Sequence, residues 1–79
     1  MFIVVRALVR HTDGTHEGRI LSRHRTLTAA GRADDRLQAN VRRDNGAGHY
    51  LPTILAEWAG KAPAVGTHVR DVRPVQIDG

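Results

Sequence analysis

The stretch FIVVRALVRHTDGTHEGRILSRHRTLTAAGRADDRLQANV (residues 2–41) decides the fold. Two runs of alternating apolar and polar residues meet at Asp13-Gly14, and a helical period follows them. Asp and Gly tolerate the positive φ that a two-residue type I′ turn needs, so the pair predicts a β-hairpin over 1–25. With those two at the turn centre, His11 faces His16, Arg10 faces Glu17, Leu8 faces Arg19, Arg6 faces Leu21 and Val4 faces Arg23. Side chains alternate across a strand. One face then carries Ile3, Val5, Ala7, Val9, Ile20 and Ser22, the expected core. The other carries Val4, Arg6, Leu8, Arg10, Glu17, Arg19, Leu21, Arg23 and Arg25 and is strongly basic. A looser loop can shift the pairing by two without exchanging faces, whereas a slip of one turns Arg19 and Arg23 toward the apolar side.

Outward from the hairpin, Leu27, Ala30, Ala33, Leu37 and Val41 recur at three and four residues, which predicts a helix over 26–45. Thr26 or Thr28 can cap its start, and Asn45-Gly46 stops it, with Arg42 and Arg43 complementing the negative end of the dipole. Arg25, Arg32, Arg36 and Arg43 fall in one narrow sector opposite the apolar stripe. Asp34 projects on the apolar side and needs a partner there, expected to be a strand His or Arg. Residues 49–58 read as a strand in which Pro52 prefers an edge or the first positions. Residues 67–73 read as a last strand and 74–79 as a frayed tail. The expected fold is a single α+β domain over 1–79, of order ββαβ with a fourth strand, an antiparallel sheet with one helix packed on its apolar face.

Seventy-nine residues leave no room for a deep cleft between lobes. Apolar residues make up 41%, but with one Phe, one Trp, one Tyr and one Met the core must be built of Val, Ile, Leu and Ala. With no cysteine, a disulfide framework and thiolate zinc ligation are both excluded. No stretch approaches the roughly 20 apolar residues of a membrane span, and the start carries no leader pattern, so a cytoplasmic protein without membrane contact is expected. The formal net charge is +4, and Lys61 is the only lysine among twelve basic residues. Arginine suits phosphate and guanine edges because its planar fork donates two parallel hydrogen bonds.

No cofactor, metal or catalytic signature accompanies these features, and the chain is read as a non-enzyme. His11 and His16 beside the turn lack further ligands for a metal. Ser22 has no glycine-flanked elbow, Gly46-Ala47-Gly48 follows a helix instead of opening one, and Gly60-Lys61-Ala62 lacks the rest of a phosphate loop. Trp58 is expected in the core or at a dimer contact.

The succession of strand, Asp13-Gly14 turn, strand from Arg19 to Arg25, and Thr26 to Ala30 opening a helix resembles the arm-binding domains of phage-type integrases and the plant ethylene-response DNA-binding domains. That resemblance covers about half the chain and implies a sheet lying in the major groove, although those domains place three strands before the helix. Leu8-Val9-Arg10-His11 with Glu17-Gly18-Arg19 also resembles the start of histidine phosphatases, but Thr12 stands where that family has glycine.

The expected function is nucleic-acid binding, with duplex DNA contacted by the arginine face of the hairpin. Arg6, Arg19 and Arg23 lead the candidate site. Arg25, Arg10, Arg42 and Arg43 follow, with Arg10 ranked lower because Glu17 can neutralise it. The alternative is a protein-interaction or homodimeric module that pairs through the sheet edge between Tyr50 and Trp58.

Overall fold

A computed structural model, which describes residues 1–76, closes the hairpin with three loop residues instead of two. The His11 amide donates to the Thr15 carbonyl at 2.9 Å and the Gly14 amide to the His11 carbonyl at 3.1 Å. Gly14 takes φ +89°, the left-handed position that follows a type I turn in a three-residue loop. Asp13 holds this shape, its carboxylate accepting from the Thr15 amide at 2.9 Å and hydroxyl at 2.7 Å. The extra loop residue shifts the pairing by one, so Arg10 sits opposite His16 and not opposite Glu17.

The hairpin strands, β1 (Phe2–Arg10) and β2 (His16–His24), then shift twice more. Leu8 is bulged out of β1, which places Ala7 opposite Gly18, Arg6 opposite Arg19 and Val5 opposite Ile20. Leu21 is bulged out of β2, after which Val4 meets Ser22 and Ile3 meets Arg23. Between the bulges the register lies two residues from the two-residue-turn register, which preserves the faces. Beyond either bulge it lies one residue away, which exchanges them.

The helix α1 (Leu27–Asn45) follows, and β3 (Thr53–Glu57) and β4 (His68–Val72) complete an antiparallel sheet of order β3-β1-β2-β4. The third strand starts later than residue 49. Pro52 has no amide to give the ladder, but its carbonyl accepts from Ala7 at 3.0 Å. The chain beyond β4 reaches the opposite edge of the sheet, where the Val75 amide donates to the Leu55 carbonyl at 2.7 Å. Val75 of the expected tail is therefore tied to β3; residues 77–79 lie outside the described residues.

This curl gives the sheet an inner and an outer face. Ile3, Val5, Ile20, Ala56, Val69 and Val72 fill the inner face with Ala62 from the preceding loop, and Ile54 and Trp58 pack against them. Full burial of an Ile or Val side chain contributes about 1.5–3 kcal/mol, so Ile3, Val5 and Ile20 anchor the fold. Gly18 permits the tight bend, because a Cβ there would come 1.9 Å from the Arg6 carbonyl oxygen.

The helix lies on the outer face, not over the Ile3-Val5-Ile20 set. Thr26 caps it by accepting from the Ala29 amide at 3.1 Å, and Gly46 ends it with φ +109°. Ala30 is fully buried, and Ala33 and Leu37 approach Val4, Leu21 and Ser22. The curled sheet covers its inner face with its own loop and tail. The aliphatic groups left over at Val4, Leu21 and Leu55 are on the outer face, and that is where the helix stripe packs.

Asp34 meets neither a strand His nor an Arg. Its carboxylate accepts from the Thr53 hydroxyl at 2.6 Å, and Gln38 beside it bonds both backbone groups of Leu51, donating to the carbonyl at 2.7 Å and accepting from the amide at 2.8 Å. No helix among the described residues is long and apolar enough to cross a membrane.

Candidate nucleic-acid interface

The register sorts the arginines named in the sequence into three places. Arg6 and Arg19 stay together, directly opposite one another on the outer face and exposed. Thr53 lies beside Arg6 and His68 beside Arg19, so a single rung across all four strands reads Thr53, Arg6, Arg19, His68. At one end of this rung Thr53 is bonded to Asp34 of the helix.

Arg23 departs from that surface. The Leu21 bulge moves it to the side of Ile3, where its Nη1 donates to the Ala62 carbonyl at 3.0 Å and pins the loop that closes the inner core. Arg10 departs as well: the three-residue loop pairs it with His16, and the Leu8 bulge turns it to the opposite face from Arg6, toward Arg73 and the tail. Glu17 does not pair with Arg10. Of the five arginines expected on one surface, Arg10 and Arg23 thereby leave it, while Arg6 and Arg19 stay together.

Arg25 is exposed in the link between β2 and the Thr26 cap. Arg42 and Arg43 occupy the exposed last turn of the helix, and Arg43 makes only a 3.4 Å solvent-exposed contact with Asp44, a kind of pair that contributes about 0–1 kcal/mol. Arg36 lines the groove between the helix and the strands, near Val4, Leu21 and Ser22. The helix and the Arg6–Arg19 rung share the outer side of the sheet. The arginine stripe and the hairpin pair thus lie on the same side of the sheet, whereas a helix on the Ile3-Val5-Ile20 face would have put them on opposite surfaces.

Two imidazoles and one further guanidinium gather around Glu17 on this side. Glu17 accepts from His11 Nε2 at 3.0 Å and from His68 Nε2 at 3.1 Å, and Arg70 Nε lies 3.9 Å from the same carboxylate. These donors hold the Glu17 carboxyl below the usual carboxylate range, with the His68 bond the largest cause and the His11 bond next. Glu17 is thus engaged by its own neighbours and is not paired with Arg6 or Arg19. Sequence reasoning identified 67–73 as a strand but had no signal for the strand it would join, and so it missed His68 and Arg70.

Exposed apolar groups border the rung. Leu8 and Val9, neighbours at the bulge, are about half exposed, at 50% and 45%. No protein-family model matches this chain, and no curated protein or solved structure matches it either, so its surface is interpreted from its own geometry.

Proposed function

We propose that this domain binds duplex nucleic acid through the outer side of its sheet, with Arg6 and Arg19 at the centre and the helix arginines beside them. The observation that carries this reading is the Arg6–Arg19 pair. Like charges directly opposite in an antiparallel ladder repel, and neither guanidinium has a carboxylate partner among the described residues. A polyanion lying across the rung would relieve that repulsion by placing phosphates between and beside the two groups. Arg32, Arg36 and Arg43 would extend the contact along the helix, and Arg70 along β4. Arg23 and Arg10 have no part in this surface.

Protein pairing along the edge of β3 has the weaker footing, since Leu55 on that edge already accepts from Val75 of the same chain. The test is fluorescence anisotropy of a random-sequence DNA duplex at two salt concentrations, with an Arg6→Ala/Arg19→Ala variant alongside. Phosphate-driven binding falls steeply as salt rises, by a slope of about 0.9 per neutralised phosphate, and the double variant lowers that slope by about two contacts. Absence of binding at low salt would overturn the reading.

A further inference from the structure

The Leu8 bulge that removes Arg10 from the outer face delivers it to a cleft of about 580 Å³ beneath the hairpin turn. Arg10, His16, Arg73 and Gln76 line this cleft together with Asp13-Gly14 of the turn. They come from three separate parts of the chain. Arg10 arrives from the end of β1, His16 from the start of β2, and Arg73 and Gln76 from the segment that crosses from β4 toward β3.

Three features make the cleft more than a gap between side chains. Arg73 is held in place, since its Nη1 donates to the Asp13 carbonyl at 3.3 Å. His16 carries a buried ring nitrogen, Nδ1, with no hydrogen-bond partner among the described residues, and an unmet polar atom is unfavourable. Among the described residues Asp13 is the one acidic residue lining the cleft, and its carboxylate is already committed to the Thr15 amide and hydroxyl. Two guanidinium groups and an imidazole therefore meet a single carboxylate that is engaged elsewhere.

The geometry points to a binding site for a phosphate monoester group, taken between Arg10 and Arg73 with His16 as a third donor. Guanidinium forks bind oxyanions bidentately, and donors arriving from three directions suit a tetrahedral phosphate better than a planar carboxylate. The volume falls in the range of small-molecule sites, which leaves room for an organic group attached to the phosphate. A backbone phosphodiester of nucleic acid shares the phosphoryl oxyanion, with one fewer free oxygen and less charge, and the arms of the experiment separate the two sources. This site does not depend on the outer-face reading, because none of its residues lies on the Arg6–Arg19 rung.

The experiment is an NMR titration of the full chain, following the His16 imidazole and the Arg10 and Arg73 Nε–H resonances. The probes are inorganic phosphate, sodium chloride at matched ionic strength, and a short DNA duplex without terminal phosphates. Phosphate should shift all three residues along one saturating curve with a dissociation constant of about 1 mM, and chloride should not. Arg10→Gln and Arg73→Gln should each weaken this at least about tenfold, while Lys61→Gln, at an exposed cation outside both surfaces, leaves it unchanged. Shifts that rise linearly without saturating, or that chloride reproduces, would overturn the site. That result stands on the wild-type chain even if a variant fails to fold. Duplex-induced shifts of the same three resonances would assign the phosphate to nucleic acid, and their absence beside a saturating phosphate curve would assign it to a free phosphorylated compound. Duplex binding that persists in the Arg10→Gln/Arg73→Gln variant keeps this site separate from the outer-face surface.

Discussion

Arg6 and Arg19 sit directly opposite each other across the β1–β2 ladder, two like charges on adjacent strands without a carboxylate partner among the described residues. Replacing Arg19 with Gln should therefore stabilise the free domain by about 0.2–1 kcal/mol in low salt. The gain should vanish near 1 M salt, where the screening length shrinks to about 3 Å. Urea melts of both proteins at the two salt levels measure this, and a loss of stability in Arg19→Gln would contradict it.

The two glycines Gly18 and Gly31 should respond oppositely to alanine. At Gly18 the new methyl would sit 1.9 Å from the Arg6 carbonyl oxygen and 2.9 Å from Val5 Cγ1, so the ladder must open. A cost above about 2 kcal/mol is expected. Gly31 lies inside the helix with nothing within 4 Å of its would-be Cβ, and alanine there should stabilise by about 0.5–1 kcal/mol. Thermal melts of the two variants decide the matter.

Acid should weaken the fold through two carboxylates. Asp13 is held below its ordinary value, chiefly by the Thr15 hydroxyl and then by the Thr15 amide, and Glu17 by His68 and then His11. A carboxyl whose folded value is depressed binds fewer protons than in the unfolded chain. Its stabilisation is complete above the unfolded value and is lost as pH falls through the folded one. Stability measured by circular dichroism should thus decline on acidification below the ordinary carboxylate range. In Thr15→Val the decline contributed by Asp13 should become shallower, because that variant loses the hydroxyl donor.

Gln38 joins the helix to the start of β3 by a two-way bond with the Leu51 backbone. Gln38→Ala leaves a partly buried amide and carbonyl without that partner and should cost about 1–3 kcal/mol. Gln38→Glu can still accept from the Leu51 amide but cannot donate to its carbonyl. Hydrogen exchange at the Leu51 amide should accelerate in the alanine variant and much less in the glutamate one.

Arg23 provides a separation of roles. Its bond to the Ala62 carbonyl fastens the loop over the inner core, so Arg23→Ala should destabilise the domain by about 1 kcal/mol while leaving duplex affinity within twofold. A loss of affinity as large as that of Arg19→Ala would place Arg23 back on the binding surface.

Much of this architecture is written locally. The helix between Thr26 and Gly46 follows from its three-and-four spacing and its capping residues, and the hairpin from two alternating runs around Asp13-Gly14. The arginine surface was less legible. Whether Asp13-Gly14 forms a two- or a three-residue loop is set by Thr15 bonding back to Asp13, and one residue of difference exchanges faces. Leu8 and Leu21 then bulge with no local composition to mark them, and each exchanges the faces again. Those bulges accompany a tight curl in which Gly18 lies against Arg6, a contact between strands that no short window of sequence contains.

The sequence by itself determined the element types, their order, the excess of arginine and the absence of thiol chemistry, because propensity, periodicity and composition act over a few residues. Only the tertiary structure decided that β4 joins β2, that the helix takes the outer face, and that Arg6 and Arg19 remain neighbours while Arg10 and Arg23 leave them. The reason is physical. Face assignment depends on the parity of the register, and parity is fixed by the loop closure, bulges and curl of the folded sheet as a whole.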